Sequence, residues 1–108
     1  MSKQALTERA HFWESFSSLV SRGYPLCQIL DIASQDADRE LRDVVPDVKR
    51  SFEDGCAFSD SMTKHSGVFS EFETTLARAA EAAGNLDIIS RRIAEALAES
   101  PLEGKPDS

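Results

Sequence analysis

The segment RAAEAAGNLD, residues 78–87, constrains the fold more than any other part of this sequence. Alanine favours helix, and glycine often follows a helix because it adopts a left-handed backbone at little cost. Gly84 therefore predicts the end of one helix. Asn85 predicts the N-cap of the next, and Asp87 falls in its first turn, where the helix dipole favours a negative charge. The small alanine side chains before Gly84 would let another helix approach closely, so the segment predicts two packed helices joined by a tight turn.

The same arrangement, an apolar helical stripe followed by a helix stop, recurs along the chain. Apolar residues are spaced at three and four positions, which is typical of amphipathic helices, and no strand is predicted. The fold class is therefore all-α, a compact six-helix bundle of antiparallel helices joined by short turns. The predicted helices cover approximately residues 8–22, 25–33, 38–54, 58–64, 70–83 and 86–97.

Glycine, proline and aspartate mark several of the predicted helix ends. Gly23 and Gly55 are expected to end the first and third helices. Pro25 occupies a first-turn position of the second helix, where its missing N–H has no partner to lose. Asp38 is expected to be the N-cap of the third helix. Pro46 lies inside that helix and predicts either a kink or a late start, because an interior proline removes a backbone hydrogen bond.

The fifth predicted helix begins with a capping box. Ser70 is followed three residues later by Glu73, and this spacing lets each side chain bond the backbone N–H of the other. Phe69 precedes the cap at the position of a hydrophobic staple. This local signal fixes the start of the helix.

Length, composition and charge describe one folded domain. A chain of 108 residues with 41% hydrophobic and 29% charged residues is typical of a single globular domain. We expect a frayed N-terminus at residues 1–7, the helical domain at 8–100 and a disordered tail at 101–108.

A net charge of −7 argues against nucleic acid as a partner. The sequence has no apolar run long enough to span a bilayer and no secretory signal, so we expect a cytoplasmic chain without direct membrane insertion. Cys27 and Cys56 are accordingly expected to be free thiols.

The residue types offer no catalytic constellation, and no cofactor is predicted. His11 and His65 have no companion at metal-ligand spacing, and the five glycines are too dispersed for a phosphate loop. Acidic residues between the second and third helices are expected to form a solvated face. The candidates there for a divalent-cation site, Asp36, Asp38 and Glu40, do not have the spacing of a known calcium loop.

The order of the motifs resembles the cytoplasmic domain of the type II secretion system F protein family, the inner-membrane platform proteins of type II secretion and type IV pilus machines. The resemblance runs without a gap from Phe12 to Leu97. Its signature residues are Gly23, Pro25, Gly55, Phe69, Glu81, Gly84, Asn85 and Asp87. The sequence departs from the family where Ala57 replaces a frequent serine cap.

The resemblance implies a non-enzymatic scaffold that docks the assembly ATPase and other inner-membrane platform components, with a homodimer as a further expectation. It also singles out Glu81, which could pair with Arg78, cap the following turn or make a polar contact between helices. Two alternatives remain open at this point. One is a free-standing soluble adaptor or regulator of such a machine, and the other, less favoured, is a small metal-dependent enzyme on a helical bundle.

Two aromatic residues are candidates for an interface. Phe12 and Trp13 are adjacent and lie about 100° apart around a helix, so both are not expected to face the centre of one narrow core. Trp13 is therefore predicted either to anchor a partner at the surface or to cover the edge of the core. Tyr24, beside the turn after the first helix, is the second candidate.

Overall fold

The computed structural model describes the backbone of residues 3–84 and 86–98, and the side chains of residues 7–84 and 91–97. Within these ranges the chain forms six α-helices and no strand, which confirms the all-α prediction. The elements are α1 (Lys3–Ser21), α2 (Leu26–Ala33), a 3-10 turn (Ser34–Asp36), α3 (Arg39–Glu53), α4 (Phe58–Thr63), α5 (Glu71–Ala83) and α6 (Leu86–Ala98).

The long helix α1 organises the bundle. It packs most extensively against α6 and also contacts α2, while α5 lies against both α4 and α6. Its aromatic residues Phe12, Trp13 and Phe16 are fully buried and contact one another, with ring centroids 4.9–5.8 Å apart. Trp13 and Phe16 also contact Phe58 of α4, at 6.4 and 5.4 Å. Such aromatic contacts stabilise a core beyond the area that they bury.

The surface position suggested for Trp13 is wrong. Its side chain is 0% exposed, as is that of the adjacent Phe12. The geometric premise was correct, since neighbouring helical residues do point in different directions. However, α1 is covered by other elements on more than one side, and both directions therefore lead into the interior.

The local start and stop signals agree well with the structure. The Asp38 carboxylate accepts a hydrogen bond from the N–H of Leu41, as an N-cap does. Ser70 and Glu73 form the predicted capping box. Gly84 ends α5 with φ +73°, a left-handed conformation that other residues rarely adopt. Gly23 and Gly55 follow α1 and α3, as predicted.

Other predicted boundaries are shifted. Helix α1 begins at Lys3, so residues 3–7, predicted to fray, are helical, and the sequence KQALT contains no helix breaker. Pro25 is the N-cap of α2, one residue before its first turn. Helix α3 runs from Arg39 through Pro46 and so does not start late. The predicted tail at 101–108 and Asn85 lie outside the described residues, as does the side chain of Asp87.

None of the described helices is both long enough and apolar enough to cross a membrane.

Candidate functional site

A buried arginine forms the centre of the most unusual polar arrangement in the domain. Arg9, near the start of α1, is 0% exposed, although arginine is almost never fully buried unless it is paired. Its partners are Asp38 at the N-cap of α3 and Glu73 in the first turn of α5, both also buried. These three residues together with Trp13 are called the Arg9 cluster below.

Asp38 meets the guanidinium of Arg9 with both carboxylate oxygens. Arg9 Nε donates to Oδ1 at 2.6 Å and Nη2 donates to Oδ2 at 2.8 Å. This bidentate geometry is the strong form of the arginine–carboxylate pair. Oδ2 also accepts from the N–H of Leu41 at 3.3 Å, so one carboxylate both starts α3 and binds it to α1.

Glu73 extends the cluster to α5. Arg9 Nη1 lies 3.0 Å from its Oε1 and 3.1 Å from its Oε2, and Trp13 Nε1 donates to Oε2 at 2.7 Å. Oε1 accepts as well from the N–H of Ser70 at 2.8 Å, which closes the capping box. Glu73 thus fixes the start of α5 and holds that start against α1.

Electrostatics favour the charged forms of Asp38 and Arg9. Burial alone would raise the pKa of Asp38, but the hydrogen bonds and positive charge of Arg9 outweigh it, and the pKa lies below its ordinary value. Burial likewise opposes the charge on Arg9, while Asp38 and Glu73 raise its pKa above the ordinary value. The guanidinium also donates to the carbonyl of Val68 at 3.0 Å and lies 5.8 Å from the ring centroid of Phe69, within cation–π range. The charges of the cluster are therefore satisfied by one another.

Glu81 makes a second polar junction, between α5 and α4. Its Oε2 accepts from the N–H of Ser59 at 3.0 Å, and its Oε1 accepts from Ser59 Oγ at 2.5 Å. Ala57, the N-cap of α4, supplies no side-chain hydrogen bond. Glu81 therefore provides from another helix the cap that Ala57 lacks. Of its three predicted roles, the structure shows the polar contact between helices, whereas Arg78 pairs with Asp60.

The other sequence candidates are not brought together. Asp36 and Glu40 are exposed, while Asp38 is buried against Arg9. Among the described residues, no three acidic, histidine or cysteine side chains form a group that could hold a metal ion. His11 is exposed, and His65 Nε2 lies 2.7 Å from Asp47 Oδ2.

The two cysteines are free. Burial raises the pKa of the Cys27 thiol, and the nearby carboxylate of Glu53 raises it further, so the reactive thiolate is disfavoured there.

Sequence reasoning missed Arg9 and the second role of Glu73. The capping box alone explained Glu73, and an arginine on a helix is normally exposed. The local signal that could have found the pair is the spacing of Arg9 and Trp13. Residues four apart lie on one face of a helix, and both carry hydrogen-bond donors.

The fold and the Arg9 cluster define an all-α domain in which a buried ion-pair network holds the starts of α3 and α5 against α1. The family model for type II secretion system (T2SS), protein F matches residues 12–100. The chain therefore belongs to the type II secretion system protein F family.

Curated relatives agree with this assignment. The chain is 35% identical over 102 residues to the type IV pilus assembly protein PilC of Thermus thermophilus, covering 93% of this chain and 25% of the relative. It is 37% identical over 84 residues to PilC of Myxococcus xanthus, covering 77% of this chain and 20% of the relative. The type II secretion system protein F of Xanthomonas campestris is 29% identical over 96 residues, which cover 87% of this chain and 24% of that protein. The chain thus spans about a quarter of the length of the relatives.

Proposed function

We propose that this chain is a non-enzymatic scaffold domain that docks the assembly ATPase and other inner-membrane components of a type II secretion or type IV pilus machine. The observation that carries the proposal is the family match over residues 12–100. The names of the relatives refer to pilus assembly and type II secretion, and we extend that role to this chain. Its place of action would be the cytoplasmic face of the inner membrane.

The interior supports a scaffold role. Among the described residues, every buried side-chain nitrogen or oxygen has a hydrogen-bond partner. The buried charges of the Arg9 cluster are paired with each other and define the positions of α1, α3 and α5. A domain of this kind has fixed helix faces, and fixed faces are what recognition by a partner requires.

The test is direct binding between the purified chain and the assembly ATPase of the same organism, measured by biolayer interferometry. We expect saturable binding with a Kd of about 10 µM or tighter, as is typical of a specific contact. No binding at about 100 µM would contradict the docking proposal. Sedimentation velocity on the same sample tests the proposed homodimer, and Tyr24→Ala tests the remaining aromatic interface candidate, which is 37% exposed.

A further inference from the structure

A polar groove runs between α1 and α6. Its volume is about 410 Å³, and its lining consists of Glu14, Ser17, Ser18, Ser21, Arg22 and Arg91. Four of these residues belong to α1, and Arg22 directly follows it. They lie on one face, because their distances in sequence from Glu14 are three, four, seven and eight positions. The three serines are short, and they leave room between the charged side chains at the two ends. We call this feature the α1–α6 groove.

No ion pair among the described residues neutralises the charged side chains that line the groove. Arg22 and Arg91 are exposed and form no ion pair with any residue that the structure describes, and neither does Glu14. By contrast, the exposed residues Arg50 and Arg78 both pair with aspartates. Among the six lining residues, two guanidinium groups stand against one carboxylate, so the described lining carries a net positive charge on a chain whose net charge is −7.

We propose that the α1–α6 groove binds an acidic segment of a partner protein. Guanidinium groups recognise carboxylates by paired hydrogen bonds. The exposed hydroxyls of Ser18 and Ser21 can both donate and accept. The distance from Glu14 to Arg22, the residue after α1, is about 12 Å at the helical rise of 1.5 Å per residue, which suits a short peptide segment. Charge complementarity favours an acidic occupant. The groove attracts an acidic segment, whereas the rest of this negatively charged chain repels that segment.

The inference deepens the proposed function, on which it rests for the existence of a partner, since it names a surface and a chemistry for docking. The probe is a fluorescein-labelled decapeptide with glutamate at alternate positions, and the control peptide has glutamine at those positions. Fluorescence anisotropy at low salt measures the affinity of the chain for each of the two peptides. We expect the glutamate peptide to bind at least about tenfold more tightly, and its affinity to fall as salt screens the charges.

Single substitutions locate the binding surface. Arg22→Ala and Arg91→Ala should each weaken binding of the glutamate peptide about three- to fivefold, which is the effect expected for a partly exposed ion pair. Arg92→Ala is the matched control, because it removes the same charge from the adjacent position of α6 without lining the groove. It should leave the affinity unchanged within the error of the measurement. Glu14→Gln should strengthen binding, since it removes the carboxylate that repels the peptide.

Several results would overturn the inference. One is equal weakening by Arg91→Ala and Arg92→Ala, which would indicate a diffuse charge effect. Another is binding of a dT12 oligonucleotide or of phosphatidylglycerol vesicles without binding of the glutamate peptide. Ser18→Trp fills the groove without changing its charge, and undiminished peptide binding by that variant would also contradict the proposal.

Binding to the assembly ATPase separates the two proposals. ATPase binding that Arg22→Ala and Arg91→Ala leave intact would refute the groove as the docking surface and retain the scaffold function. Peptide binding without ATPase binding would retain the groove and refute the scaffold function. Thermal unfolding of each variant verifies that it is folded before binding is compared.

Discussion

The Arg9 cluster and the ion pair between Arg78 and Asp60 contain the same chemical groups in opposite surroundings. The side chains of Arg9 and Asp38 are 0% and 6% exposed, whereas those of Arg78 and Asp60 are 55% and 57% exposed. Water screens the exposed pair, so it contributes little to the free energy of unfolding. In the interior, removal of one partner leaves a charge without solvent or counter-charge, which is strongly destabilising. Burial, rather than residue type, thus decides what each pair contributes.

The largest difference between the two regions should appear when the cation is removed from each. Arg9→Met leaves two buried carboxylates unpaired, and we expect the free energy of unfolding to fall by about 3–5 kcal/mol. Arg78→Met should lower it by no more than about 1 kcal/mol. Urea unfolding followed by far-UV circular dichroism measures both, and similar losses for the two variants would contradict the comparison.

Asp38→Asn tests the charge of the cluster separately from its helix cap. Asparagine caps a helix as well as aspartate does, so the loss of about 2–3 kcal/mol expected at pH 7 comes from the missing charge opposite Arg9. Asp31→Asn, in the exposed pair with Lys49, is the control and should change the free energy of unfolding by less than about 1 kcal/mol.

The effect of Asp38→Asn on the free energy of unfolding should also depend on pH. The pKa of Asp38 is lowered in the folded state from its ordinary value of 3.8, so its stabilising contribution is complete above that pH. It is lost as the pH falls through the lower folded-state pKa. The difference in unfolding free energy between the wild-type chain and Asp38→Asn should therefore stay constant near neutral pH and shrink in acid. A difference that grows on acidification would refute the assignment.

Trp13→Phe tests the indole donor of the cluster. The substitution keeps an aromatic ring but removes the Nε1–H that bonds Glu73, and we expect a loss of about 1–2 kcal/mol in the free energy of unfolding. Tyr24→Phe removes a polar group from an exposed aromatic residue and should have an effect below about 0.5 kcal/mol. Equal urea midpoints for the two variants would show that the buried hydrogen bond contributes nothing.

The half-buried Glu81 junction should lie between the two extremes. Glu81→Gln keeps the size of the side chain but removes its negative charge and leaves one acceptor oxygen in place of the two that the Ser59 N–H and Oγ–H use. We expect the free energy of unfolding, measured by thermal or urea unfolding, to fall by about 1 kcal/mol. Glu95→Gln, on the exposed surface of α6, is the matched control, and a loss as large as that of Glu81→Gln would deny the junction any specific role.

Sequence reasoning succeeded where the physical cause is local. The cap at Asp38 and the box formed by Ser70 and Glu73 depend on residues within three positions of each other, and all of this was predictable. Family membership was recognisable for a related reason, since the signature residues occur in one register along the chain.

The tertiary half of the site was not predictable in this way. Arg9 meets Asp38 across 29 residues and Glu73 across 64, and no periodicity specifies such a meeting. Trp13 is buried because other elements cover its side of α1, and which sides are covered depends on the packing of the whole bundle. The family resemblance singled out Glu81. Its partner Ser59 was not predictable, because α4 is too short for its sequence pattern to indicate which residues face α5.

The cap that Glu81 supplies to α4 has a consequence for the order in which the domain is assembled. A helix of six residues has almost no population in an unfolded chain, because nucleation is costly and few hydrogen bonds follow it. Ala57 does not help, and the carboxylate that does help stands 22 residues after Ser59. During synthesis, residues 58–63 are added to the chain before Glu81. We therefore expect α4 to form only after α5, because α5 carries the Glu81 carboxylate that caps α4.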